Sequence, residues 1–325
     1  MSEDIPTLDL AQLQALYTAQ IKPRLVEQEK LRRRATGGFW GRIWLGAVPV
    51  LAVLIIVEGF VLPGTGIGLG CALIGGFCVY RWAVGPLDKV TREAKAGVLS
   101  SIAGAIGVSY QLDGFSAPSL SRCVRLGLIS QYDKGDTEDL FRGQRASSDI
   151  SVYDARLTAE TTNSKGERRD VVVFQGTVIA IAFPKAFLGT TIVRRDAGIF
   201  NKGRETRDLK RVGLGDSHFE KIFEVYGTDQ VEARYLVHPV FMEKLLALET
   251  SLKANKVRCA FEGGELLIVL DGKGRFEFGS QFSNFVRPAQ VQKMAQDVML
   301  VTSVIDTVLA GPPRAYAEAP VATPA

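Results

Sequence analysis

The chain has 325 residues, 46% of them hydrophobic, with a formal net charge of +4 and a pI near 8.8. That charge is too mild to point to nucleic acid. Four cysteines with no CxxC and no Cys/His cluster exclude a disulfide framework and a spaced metal site alike, and read as reduced, mostly buried thiols.

In chain order, residues 1–42 form a cytosolic amphipathic and basic segment. Leu10, Leu13, Tyr17 and Ile21 recur at helical steps, and Pro23 is expected to interrupt that helix. Lys22, Arg24, Lys30, Arg32, Arg33 and Arg34, set against Glu27 and Glu29, read as contacts for anionic lipid headgroups.

Apolar residues concentrate between Ile43 and Val84. Ile43 to Leu62 is a run of twenty residues whose one charge is Glu58, and roughly 20 residues of helix cross a hydrocarbon core. Pro63, Gly64 and Thr65 connect it to a second run, Gly66 to Val84, whose one charge is Arg81. The two runs predict a transmembrane helical hairpin over 43–62 and 66–84. A polar segment of 42 residues in front of it argues against a cleaved signal peptide.

Lys and Arg flank both outer ends, with Lys89, Arg92 and Lys95 after the second run and none in the connector. The expected topology therefore has two spans with N- and C-termini cytoplasmic. Intramembrane charges are functional candidates by default. Glu58 and Arg81 lie near opposite surfaces, however, and each reaches its own interface. Gly66 and Gly70, Gly68 and Ala72, and Ala72 and Gly76 are spaced by four, giving small faces for the first span or a second copy.

Residues 85–148 read as a connecting helical region. A helix is predicted from Pro86 to Ala105, then a short strand and a helix starting near Pro118. Residues 149–310 read as a cytosolic α+β domain. Tyr153, Ala155, Leu157 and Ala159 alternate with a wet face of Asp154, Arg156 and Thr158. Asn163 to Glu167 forms a turn, and Val171 to Phe183 is apolar on both faces, as in a central strand, with Thr190 to Arg194 beside it.

Gln230 to Val237 alternates like a strand, and Pro239 opens a helix to about Leu252. Val257 to Phe261 and Leu266 to Leu270 flank a Glu262-Gly263-Gly264 turn as a hairpin, and Arg275 to Phe278 adds a strand. Val291, Met294, Val298, Val301, Ile305 and Val308 stripe a last helix from Pro288 to Leu309, suited to a sheet or an oligomer seam. Residues 311–325, rich in Pro and Ala, are expected to be a disordered tail. Consecutive strands with helices set apart predict a mainly antiparallel sheet with flanking helices.

Chemistry is sparse. Asp216, Ser217 and His218 are sequence neighbours without a nucleophile elbow, and a cap by Asp216 or Ser217, with Glu220 in the first turn, accounts for them. Glu224, Asp229 and Glu232 read as a solvated acidic face, and His238 as part of a junction before Pro239. No catalytic, cofactor-binding or metal-ligating residue is assigned, and no cofactor is implied. Arg194, Arg195, Lys202, Arg204, Arg207, Lys210 and Arg211 read as a mobile basic loop over 194–211, for anionic lipid or an acidic partner.

The stretches FQGTVIAIAFPKAFLGTTIVRRD (Phe174 to Asp196) and HFEKIFEVYGTDQVEARYLVHPVFMEKLLAL (His218 to Leu248) resemble a bacterial membrane family known as domain of unknown function 3137, over most of residues 10–310. The resemblance implies an inner-membrane location and no activity. The expected function is a non-enzymatic scaffold or interaction module at the bacterial inner membrane, binding lipid headgroups and either a protein partner or itself. The alternatives are a membrane-tethered enzyme using Asp216, Glu224 or Asp229 with His218, and a small transporter using Glu58.

Overall fold

The structure, a computed structural model, describes residues 10–61, 65–162, 166–183, 186–195, 208–251, 256–274 and 276–309. These fall into two compact units, one of residues 102–276 with 294–309 and the other of residues 10–101 with 277–293. The tail 311–325 and most of the connector and the basic loop lie outside the described residues.

The second unit is built on two long helices. Helix α1 (Leu10–Leu16) passes through a π-helical turn (Tyr17–Ile21) into α2 (Lys22–Ile56), and a second π-turn (Val57–Val61) follows. Helix α3 runs Ile67–Ala105. Pro23 therefore does not end the first helix. It sits in the first turn of α2, directly after the wider π-helical turn, which accommodates its missing N–H within one continuous helix. Likewise Pro86 lies inside α3, so the second apolar run and the expected connecting helix are one continuous helix.

The first unit is a nine-stranded antiparallel sheet among the described residues. Its strands are β1 (Val108–Gln111), β2 (Lys134–Arg145), β3 (Ser148–Thr162), β4 (Arg168–Ala182), β5 (Thr191–Arg195), β6 (Lys210–Val212), β7 (Phe223–Gly227), β8 (Lys256–Glu262) and β9 (Glu265–Asp271). The spatial order is β1-β2-β3-β4-β9-β8-β5-β7-β6. Five further helices are α4 (Leu120–Arg125), α5 (Ser217–Glu220), α6 (Gln230–Leu236), α7 (Pro239–Ser251) and α8 (Pro288–Leu309). The expected α+β class holds.

One face of the sheet carries Tyr153, Leu157, Phe174, Val178, Leu267 and Val269 in a core closed by Leu120, Cys123 and Leu128. Over the other face, Val298, Val301 and Thr302 of α8 line one small cavity with Val108, Phe141, Ile150 and Val152. Arg145, buried, grips Asp306 of α8 through Nε (2.7 Å) and Nη2 (2.9 Å) and gives Nη1 to Ile106 O. Because α8 covers this face, Asp154 is not wet as expected. It is buried, accepting from the Thr177 hydroxyl at 2.6 Å.

Four local expectations fail. Gln230 to Val237 is not a strand: Asp229 accepts from Val231 N and Glu232 N and so caps α6, and only Ala233 of α6 is buried. Thr190 to Arg194 does not lie beside β4, whose far edge is taken by β9 from Gly176 to Ala182; β5 joins between β8 and β7. The connecting region 85–148 holds the expected short strand, β1, and the expected helix, α4, but also β2, which was not expected. Charged residues on the exposed part of β2, and a bulge between Glu138 and Phe141, conceal its alternation. Residues 276–278 are not a strand; Phe276 packs on Phe141 instead.

Other expectations are met: the helix after Pro239, the stripe of α8 and the β8–β9 hairpin. In that hairpin Gly263 and Gly264 adopt φ of +59° and +84°, the left-handed pair that a two-residue turn requires.

Candidate functional site

Residues 43–60 of the first helix and 67–82 of α3 carry most of the exposed large apolar side chains among the described residues. Trp44, Leu45, Ile55, Phe60, Leu73, Ile74 and Phe77 all point outward, with Trp44 71% and Phe60 83% exposed. Both helices are long and apolar enough to cross a membrane, the first over Ala11–Phe60 and the second over Ile67–Ala105.

Contact between them runs through small residues. A Cβ on Gly46 would lie 2.5 Å from the Val79 side chain, one on Gly75 2.9 Å from Val50, and one on Gly68 2.9 Å from Glu58. Gly68, Ala72, Gly75 and Val79 follow one another at 4-3-4 steps, with Gly75 and Val79 against α2 and Gly68 against Glu58 of the second π-turn. Gly70 and Gly76, expected on such faces, have open space beside them. The useful spacing alternates four and three rather than repeating four, because 3.6 residues make a turn.

Glu58 does not simply reach an interface. Its Oε1 accepts from Gly66 N and its Oε2 from Gly68 N, both at 3.1 Å. A helix leaves its first four N–H groups without internal partners, and a carboxylate there also meets the positive end of the helix dipole. At the other end Arg81 is exposed, and the Arg42 guanidinium lies 5.7 Å over the Trp82 ring. Phe39, Ala83 and Val84 form a small buried cluster beside it.

Beyond that cluster the helices hold a polar latch. Glu29 accepts from Arg32 Nε and Nη2 (both 2.8 Å), from Arg33 Nε (2.9 Å) and from Phe285 N (3.1 Å). Arg32 donates Nη1 to Phe282 O at 3.1 Å and stacks 5.7 Å from the Phe285 ring, while Phe282 meets Phe39 edge-on. The hydrogen-bonded Arg32 guanidinium, helped by Phe285 N–H and Arg33, overcomes desolvation and holds the Glu29 carboxyl at about 2. Arg32 and Lys95 are buried and Arg33 is tied to Glu29, while Lys22, Arg24 and Arg34 are exposed. Two mainly apolar grooves open on this unit, about 190 Å³ beside Leu25 and Val98 and about 260 Å³ beside Tyr17 and Val291.

The acids singled out in the sheet unit, and one of the two histidines, occupy structural posts. Asp216 accepts from His218 N (2.9 Å) and Phe219 N (3.0 Å), which lowers its pKa and caps α5. Asp229 caps α6 at 2.8 and 2.9 Å. Glu220 accepts from Leu214 N and Gly215 N, and Glu232 from Leu188 N and Gly189 N. Glu224 is buried, taking the Tyr226 hydroxyl at 3.0 Å with Arg211 3.7 Å away. His218 is exposed. His238, its pKa pushed down by burial, accepts from Phe241 N at 3.4 Å at the start of α7.

Among the described residues no group of three or more His, Cys, Asp or Glu is placed to hold a metal ion. Of the basic loop, Arg194 donates to Leu126 O, Arg195 pairs with Glu249 and Arg211 with Glu224, so these three serve the fold. Lys202, Arg204 and Arg207 lie outside the described residues. Sequence reasoning missed the Glu29 latch and the Glu232 clamp. A Glu-x-x-Arg spacing at 29–32 was visible, but its partners lie some 250 residues away.

The architecture is an α+β antiparallel-sheet unit preceded by a long, apolar helical region. Residues 172–309 match a family model described as "Protein of unknown function (DUF3137)". The match spans the stretches Phe174–Asp196 and His218–Leu248 that resemble that family, and is shorter than the expected 10–310. A crystal structure of the mycobacterial trehalose monomycolate transport factor A, TtfA, is similar at 15% identity and a TM-score of 0.35, covering 67% of this chain and 98% of that one. A likeness that slight carries neither fold nor function across. No curated protein matches.

Proposed function

We propose that this protein is a two-span, membrane-anchored interaction module without enzymatic activity, with N- and C-termini on the cytoplasmic side of a bacterial inner membrane. The observation that carries the reading is the outward apolar surface around residues 43–60 and 67–82. In water such a surface is far larger than a soluble monomer exposes; in hydrocarbon it is the expected exterior. Trp40 and Trp44 near one end of the first span and Trp82 near the adjoining end of the second, all exposed, fit an interfacial belt.

Helix geometry narrows the lipid contacts. Along α2, Arg34 lies roughly 14 Å from Ile43 and Lys22 roughly 30 Å, at about 1.5 Å per residue. Screening acts over about 8 Å at physiological salt. Arg42 and Lys89 are therefore the headgroup contacts, and Arg34, Lys22 and Arg24 are not. The engagement of Asp216, Asp229 and Glu232 by backbone N–H groups favours the interaction module over the tethered enzyme.

A periplasm-active reporter fused after Leu309 tests the topology: it stays silent here, and activity there overturns the orientation. For the enzyme alternative, Asp216→Asn, His218→Gln and Asp229→Asn combined keep capping acceptors while removing acid/base groups. Cellular function is expected to survive that triple change. Its complete loss in a folded protein would favour the enzyme.

A further inference from the structure

The sheet protects its two ends with short strands, four residues in β1 and three in β6, a usual defence against pairing with another chain. A third edge is longer than either, although it carries charges at its start and a bulge at Val173. Strand β4 starts at Arg168, but β9 joins it only at Gly176, and Gly272 N donates to Gln175 O. From Arg168 to Phe174, β4 pairs with β3 on one side and, among the described residues, with no strand on the other.

That edge reads Arg-Arg-Asp-Val-Val-Val. Val171 and Val172 point to opposite faces of the pleat and are 46% and 42% exposed. Three consecutive valines favour strands, and two of them are solvated. The arm is held extended by its own ions, with Lys134 Nζ 3.3 Å from Glu160 and 3.1 Å from Asp170. A strand edge without a neighbouring strand among the described residues is suited to another extended backbone, as in recognition by strand addition.

We propose that the Arg168–Val173 edge pairs antiparallel with the same edge of a second copy, joining two sheets into one. The segment complements itself. A two-fold axis perpendicular to the sheet must pass through a residue, so that facing side chains share a face. Centred on Arg169, Arg168 of each copy faces Asp170 of the other, so that two opposite-charge pairs flank the contact of Arg169 with its own copy; the bulge at Val173 rules out a centre on Val172. The proposal deepens the interaction-module reading, and its test is run in detergent as well as in membranes so that a wrong anchor and a wrong edge are told apart.

The test uses the full chain carrying Cys71→Ser and Cys78→Ser, with single cysteines introduced at 168 to 173 in turn and Glu243→Cys on exposed α7 as control. Oxidation is expected to give a disulfide-linked dimer that peaks at one position, falls away on both sides and exceeds the control at least tenfold. Val171→Lys with Val172→Lys, both at exposed sites, is expected to abolish the dimer while leaving the melting temperature unchanged. No position exceeding the control, equal crosslinking at all positions, or a dimer that survives the two lysines would each overturn the proposal.

Discussion

In the helical unit the largest apolar side chains face outward, and in the sheet unit they face inward. Trp44 and Phe77 are 71% and 65% exposed, whereas Leu267 and Val269 are fully buried. The sheet unit is held by ordinary burial between a core-closing layer and α8. The helical unit has little core of its own between residues 43 and 82, and depends on close approach at glycines and on a few polar anchors. Apolar residues therefore carry opposite meanings along the chain, and average hydropathy conceals both.

The comparison breaks most sharply at Glu29. Glu29→Ala leaves Arg32 buried without its counter-charge, a loss of roughly 3–5 kcal/mol for a buried pair. Limited proteolysis is expected to open residues 277–293 while the sheet unit stays resistant. The pH dependence has a definite sign. The Glu29 carboxyl sits at about 2 when folded against an ordinary 4.5, so the latch is fully effective above pH 4.5 and weakens as pH falls toward 2. Proteolysis measured against pH checks this.

A neighbouring pair of glycines sharpens the helical side. Gly75→Leu drives a side chain into Val50 and is expected to cost about 1–3 kcal/mol, whereas Gly76→Leu meets open space and is tolerated. Thermal melts in detergent separate the two. In the sheet unit Asp229→Ala removes the cap of α6, for about 1 kcal/mol, and Asp229→Asn restores most of it; circular dichroism melts report both. Smallest of all, Glu58→Gln keeps an acceptor for Gly66 N and Gly68 N and is expected to change stability by only a few tenths of a kcal/mol, within the usual range for a mild substitution. A complete loss of cellular function in that variant would instead revive the transporter reading.

Features that announce themselves locally were legible in the sequence. The apolar runs are long, α8 repeats its stripe over six positions, and Gly263-Gly264 marks its hairpin. Asp216 as a helix cap was also readable. Where two periods coincide, the reading failed. Val231, Ala233 and Tyr235 alternate as a strand would, yet Val231 and Tyr235 are also four apart and both exposed on α6, and the deciding hydrogen bonds come from Asp229. Strand β2 was hidden by its charged exposed face. The order of β5, β8 and β9, and the latch between Glu29 and Phe285, depend on partners far away in the chain. Local pattern does not encode those pairings, because each is one of several that the same residues permit.

The central claim is that residues 43–84 lie in hydrocarbon, and Cys71 and Cys78 report on it directly. Both are exposed on α3, whereas Cys123 and Cys259 are buried, with burial pushing the Cys123 thiol up to about 12. A charged, membrane-impermeant maleimide applied to inverted and right-side-out native vesicles is predicted to modify none of the four thiols until the protein is denatured in detergent. Rapid labelling of Cys71 and Cys78 in intact vesicles, or their labelling in a detergent-free soluble fraction, would contradict the account.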